Sequence, residues 1–163
     1  MTEPKVRKRS AGLLLFRRTG APGDDGVEVL LGHLGGPLWE SRDNGGWGIP
    51  KGEYGPEETP RAAARREFAE ELGLAPPEGP YLPLGEVLLT SGKLVTIWAV
   101  EADLDPELVV PGTFSMEWPP HSGREQEFPE LDRVAWFAPP LARTKLMIPQ
   151  IPFLERLLVL LKG

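Results

Sequence analysis

The chain has 163 residues, 40% hydrophobic and 26% charged, a composition that fits one globular domain with a sizeable core. Eighteen basic against 24 acidic side chains leave a net charge of −6, which argues against a surface built for nucleic-acid backbones. With no cysteine, and with only His33 and His121 as histidines, far apart in sequence, disulfides, thiolate nucleophiles and a histidine zinc site are set aside, so any metal should be oxygen-bound.

The N-terminal MTEPKVRKRS lacks the apolar run of a signal peptide. The most apolar stretch, IPFLERLLVLLKG, is too short to span a bilayer and is interrupted by Glu155 and Arg156. The expectation is a cytoplasmic protein with no membrane partner.

Residues 10 to 17 (SAGLLLFR) and 27 to 33 (VEVLLGH) read as strands joined by a turn at GAPGDDG. Residues 34 to 56 carry too much Gly and Pro for a long regular element, yet hold Trp39 and Trp47. A helix is expected over 60 to 72, with Thr59 as its N-cap, Pro60 at the first position and Gly73 just past its end. At about 100° per residue, Ala64, Phe68 and Leu72 form its apolar stripe, and Glu67, Glu70 and Glu71 border that stripe. Like charges at Glu67 and Glu71 cost a helix about 0.2–0.5 kcal/mol, so something should offset them: a solvated face balanced by Arg65 and Arg66, or a bound cation.

Residues 85 to 90 (GEVLLT) and 94 to 102 (LVTIWAVEA) read as a second strand pair turning at SGK, and 133 to 137 (RVAWF) as a further strand. The long, acid-rich stretch between the last two is expected to be a loop. A short helix over 141 to 147 and a longer one over 152 to 161, with Leu154, Leu157, Leu158 and Leu161 as its core stripe, complete the pattern. Strands on both sides of a central helix, with another helix at the end, predict an α/β protein with a mixed sheet covered on both faces. Neither GxGxxG nor GxxxxGK[ST] is present.

Gly52, Glu58, Arg66, Glu67, Phe68, Glu70, Glu71, Gly73 and Leu74 fill the pattern of a glycine, five residues, Glu, seven residues, then Arg-Glu-apolar-x-Glu-Glu-x-Gly-apolar. Every specified position matches, and the chain resembles the Nudix hydrolase family on this box. The resemblance implies an α/β/α sandwich and a magnesium-dependent hydrolase, with manganese as a possible substitute, that cleaves a diphosphate linkage in a nucleotide. Magnesium suits the residues, because it takes oxygen ligands and is shared between carboxylates and substrate phosphates. By resemblance Glu67, Glu70 and Glu71 are metal ligands, Gly52 adds a carbonyl, and Glu58 and Arg66 form a supporting pair; the plain alternative for Arg66 is an i,i+4 pair with Glu70. Glu70 is also a candidate catalytic residue.

Lys51 is either a phosphate contact or an exposed loop lysine. Trp47 either stacks on a base or anchors its loop. For the general base, Glu127 and Glu130 stand where some relatives carry a catalytic or metal-binding glutamate, against the alternative of solvated loop acids. The PKG run at 50 to 52 resembles the branch that hydrolyses diadenosine tetraphosphate and related dinucleoside polyphosphates, although Thr90, Ser91 and Gly92 stand where that branch often has a tyrosine. A nucleoside triphosphate, a nucleotide sugar such as ADP-ribose, or a non-catalytic nucleotide sensor are the alternatives. On the segment FSMEWPP the chain also resembles a group of bacterial proteins predicted to be nucleoside triphosphate pyrophosphohydrolases, a resemblance that fixes no substrate. The assembly is expected to be a monomer or homodimer.

Overall fold

The computed structural model describes residues 7–22 and 26–163, so part of the N-terminal stretch and part of the first predicted turn lie outside the described residues. Strand β1 (Arg9–Arg18) is central. Its apolar run is buried on both faces, as expected of a strand covered by helices on either side. Leu13 and Leu15 face one core; Leu14 and Phe16 face the other.

One edge of β1 runs parallel to β6 (Leu94–Glu101) over its length, and β6 pairs antiparallel with the edge strand β5 (Tyr81–Leu88). The other edge is shared. The C-terminal end of β1 pairs with β2 (Val27–Leu34) from Phe16↔Val29 to Arg18↔Val27, whereas its first residues pair with β4 (Lys51–Tyr54) from Arg9↔Tyr54 to Gly12↔Lys51. Between those pairings β2 parts from β1 and takes up the short β3 (Trp47–Gly48), while its other edge pairs with β9 (Leu131–Phe137) from Val29 to Leu34. A Cβ on Gly12 would lie 2.2 Å from the Pro50 oxygen, so the place where β4 crosses onto β1 admits no side chain.

The helix α1 (Pro60–Leu72) forms with the predicted caps: Thr59 accepts from the Ala62 N–H at 3.2 Å, and Gly73 is left-handed at φ 66°. Its Ala63, Ala64, Phe68 and Leu72 cover one face of the sheet, with Ala11, Leu13, Leu30 and Val100. On the opposite face, α2 (Pro139–Lys145) and α3 (Ile151–Lys162) bury Ala142, Phe153, Leu154, Leu157 and Leu158 against Leu14, Val29, Leu31 and Ile97. The three-layer architecture is the one expected from the order of elements. No helix among the described residues is long and apolar enough to cross a membrane.

Two expectations are corrected. The second strand pair does not begin at Gly85; β5 starts at Tyr81, and Gly85, at φ 76°, sits inside a bulge between Pro83 and Glu86. Arg156 from α3 donates to the carbonyls of Leu84 (2.9 Å) and Glu86 (3.0 Å) there. The acid-rich loop also contains a hairpin, β7 (Thr113–Glu117) with β8 (Glu125–Pro129). Alternation of Phe114 and Met116 with polar residues gives it one half-covered face, a signal that the surrounding Pro and Glu residues obscure.

Candidate active site

Strand β4 and helix α1 bring the two halves of the box together. Gly52 lies directly beneath Glu67: a Cβ there would fall 2.0 Å from Glu67 Oε2. One residue earlier, the Lys51 N–H donates to Glu71 Oε2 at 3.1 Å. The glycine therefore allows the backbone of β4 and the carboxylates of α1 to touch, and only a residue without a side chain fits.

Arg66 holds the other end. Its Nε donates to both Glu58 oxygens at 2.9 and 3.1 Å, and Nη2 to Glu58 Oε1 at 2.8 Å. Nη1 reaches Glu67 Oε1 at 2.8 Å and Glu70 Oε2 at 3.1 Å, so the supporting pair and the simple i,i+4 pair both exist. These bonds hold the Glu58 carboxyl below the usual carboxylate range and raise the arginine further above its own.

The carboxylates dominated by burial behave in the opposite way. Glu71 is 9% exposed, and burial, with the like charges of Glu130 and Glu67 behind it, pushes its carboxyl up to about 8. Burial also raises Glu67 against the pull of Arg66, and Glu130 with added repulsion from Glu70. Glu130 follows β8 directly. Its N–H donates to the Gly112 carbonyl at 2.8 Å and its carbonyl accepts from the Gly35 N–H at 3.0 Å, which ties the base of the hairpin to the acid cluster.

Glu70 is the exposed member of the triplet, its side chain 58% accessible. Glu127 stands apart: it is exposed on β8 and accepts from Thr113 Oγ1 at 2.8 Å. Lys51 is half-buried, not an exposed loop lysine; burial, with Lys93 nearby, lowers its ammonium. Trp47 is 4% exposed, and its indole N–H donates to Asp43 at 3.0 Å. Phe137 and His33 meet its ring edge-on and Arg133 lies over it, so the stacking role is withdrawn in favour of the loop anchor. His33, read in the sequence only as a poor zinc ligand, is fully buried between the Asp132 carboxylate (2.7 Å) and the Arg42 carbonyl (2.5 Å). An isolated histidine in an apolar strand gives no sequence signal for those partners.

The donor chemistry fits a hard divalent cation, since the side chains gathered there that can ligate one are carboxylates. Among the described residues no three acidic or histidine side chains already close into an ion cage; Arg66 occupies oxygens of both Glu67 and Glu70.

A NUDIX domain family model matches residues 6–157. The chain belongs to the Nudix family. Over 70 residues it is 46% identical to a Mycobacterium tuberculosis protein named "Putative 8-oxo-dGTP diphosphatase 3", a match spanning 42% of this chain and 29% of that relative. The chain thus aligns with less than a third of that curated relative's length. Among solved structures, the fold matches a C. elegans Ap4A hydrolase binary complex at a TM-score of 0.65 and 20% identity, covering 94% of this chain and 98% of that one. It also matches the NUDIX domain of Shewanella oneidensis NrtR complexed with ADP ribose, at a TM-score of 0.62 and 16% identity, covering 96% and 90%.

Proposed function

We propose that this Nudix chain acts as a single domain to hydrolyse a diphosphate linkage in a nucleoside polyphosphate, with magnesium as its cofactor. A dinucleoside polyphosphate such as diadenosine tetraphosphate or a nucleoside triphosphate is the favoured substrate. The observation that carries the reading is the buried pair Glu67 and Glu71 against the backbone of Gly52 and Lys51, with the half-buried Glu130 close enough to repel them, so that burial and repulsion raise all three carboxyls. Such a cluster is stabilised by a cation, and a polyphosphate is the anion that shares one. The names of the relatives, one a diphosphatase and one an Ap4A hydrolase, point to the same class of bond.

Magnesium supplies a Lewis acid at the phosphoryl oxygen and a bound water of lowered pKa. The protein supplies the rest. Glu67, Glu70 and Glu71 would hold the ion with the Gly52 carbonyl, while Arg66, braced on Glu58, orients Glu67 and Glu70. Lys51 adds a cation beside the acid cluster, suited to a phosphate oxygen. Glu130 is the better base candidate: it adjoins the cluster, and its raised carboxyl retains affinity for a proton. Glu127, engaged with Thr113 on the exposed hairpin face, is the weaker one.

The test is a screen of diadenosine tetraphosphate, ATP, 8-oxo-dGTP and ADP-ribose, read by product mass, on wild type and on Glu70→Gln and Glu71→Gln. Turnover should be magnesium-dependent and should fall by about three orders of magnitude in both variants while the circular dichroism spectrum is kept. Near-normal magnesium-dependent turnover in both variants would refute the metal-site assignment.

A further inference from the structure

A hollow of about 430 Å³ opens beside the box, lined by Arg7, Lys8, Arg9, Glu53, Tyr54 and Glu58 among others. Strand pairing assembles it. Arg9 stands opposite Tyr54 on β4 and opposite Leu94 on β6, and the Leu94 N–H donates to the Lys8 carbonyl at 2.9 Å, which delivers Lys93 to the same corner of the sheet. Along β1, Arg9 shares its face with Ala11 and Leu13, the face on which α1 and Tyr54 pack. Gly52 is two residues from Tyr54, about 7 Å along an extended strand.

The charges of this hollow are unequal in a useful way. Its acids are engaged: Glu58 by Arg66 at 2.8 Å and Glu53 by Lys93 at 3.5 Å. Its cations are not. Arg7, Lys8 and Arg9 are exposed, and no ion pair or side-chain hydrogen bond among the described residues uses them. In a chain of net charge −6, three adjacent unpaired cations next to an acid cluster make a local reversal of sign. The half-buried Tyr54 gives the hollow one firm wall.

We propose that this hollow is an anion subsite for the phosphates beyond the linkage that is cleaved, so that the site favours chains of three or more phosphates over simple diphosphates. It rests on the hydrolase reading above for the position of the reacting linkage. With a diphosphate held at Gly52 and Glu67, the remaining phosphates run along β4 toward Tyr54 and meet Arg9, Lys8 and Arg7. A nucleic-acid backbone fits the corner less well, because Glu53, Glu57 and Glu58 crowd the same loop.

The test is the triple variant Arg7→Gln, Lys8→Gln, Arg9→Gln, which changes only exposed side chains. Its kcat/KM for diadenosine tetraphosphate and ATP should fall at least about tenfold, mainly through KM, and that for ADP-ribose less than about twofold. An equal fall for all three substrates, or no fall for any, would overturn the subsite. A second readout does not depend on turnover. Inorganic tripolyphosphate should raise the Tm of wild type, and the rise should be lost in the triple variant; an equal rise in both overturns the proposal. If wild type hydrolyses none of the nucleotides yet shows a tripolyphosphate shift that the variant lacks, the hydrolase reading fails and the anion subsite stands.

Discussion

The two ends of the box hold their carboxylates in opposite states. At the Glu58 end, Arg66 satisfies both oxygens and keeps the acid ionised. At the Glu71 end burial raises the carboxyls of Glu67, Glu71 and Glu130, and among the described residues only Glu67 of the three is bonded to Arg66. Within one motif, then, Glu58 has its counter-ion built into the chain, while Glu71 has no ion pair among the described residues. Motif membership alone does not set the state of an acid; the reach of Arg66 covers Glu58, Glu67 and Glu70 and leaves Glu71 to its burial.

The contact that separates the two ends most directly is Gly52 under Glu67. Gly52→Ala places a methyl group 2.0 Å from Glu67 Oε2. The carboxylate must turn away, and its second oxygen is already bonded to Arg66. Turnover is expected to fall about 10- to 100-fold, with a matching loss of magnesium affinity measured by titration calorimetry, the usual cost of disturbing the support of a metal ligand. Wild-type magnesium affinity in Gly52→Ala would mean that the cation is held elsewhere, and the contrast between the two ends would lose its meaning.

Proton linkage offers a smaller but sharper measure. Glu71 has a folded-state pKa of about 8 against an ordinary 4.5, so between those values the folded protein binds a proton that the unfolded chain releases. The contribution of this group is fully present below about 4.5 and is lost as pH rises to about 8. Glu58 works the other way: its lowered carboxyl stabilises the fold above the ordinary range and ceases to do so as pH falls. In EDTA, Tm should decline as pH is raised toward 8, magnesium should flatten the decline, and Glu71→Gln should abolish most of it. A decline unchanged in Glu71→Gln would place the linked proton on another group.

Much of this was legible in the sequence because it is local. The caps of α1, its apolar stripe and the spacing of its glutamates follow from a period of 3.6 residues, and β1 announces its two-sided burial by an unbroken apolar run. What the sequence left open depends on partners far along the chain. Glu127 and Glu130 read alike in REQEFPELD; the β7–β8 pairing turns one toward Thr113 and leaves the other at the hairpin base beside α1. Trp47 lies in a glycine-rich loop, and its burial follows from Phe137 and Arg133, roughly ninety residues later. Arg7 to Arg9 carry no local signal, and their shared corner forms only when β4 and β6 pair with β1.

The smallest expected effect concerns a polar group without a partner that carries no charge. Ser10 on β1 is 1% exposed, and its hydroxyl is the buried side-chain oxygen without a hydrogen bond among the described residues. An unmade hydrogen bond in a buried position costs roughly 1–3 kcal/mol, and replacing the group by an apolar one of similar shape removes that cost. Ser10→Ala should therefore leave magnesium-dependent turnover unchanged and raise stability by about 1 kcal/mol in urea denaturation, with the same m-value. The result separates two kinds of unmet polarity. A neutral hydroxyl can be deleted with a gain in stability and no loss of function, whereas deleting the Glu71 charge should raise stability near pH 8 and abolish turnover. If Ser10→Ala instead lowers turnover, the hydroxyl meets a bound substrate or water, and the sheet edge between β1 and β4 belongs to the active site along with the carboxylates.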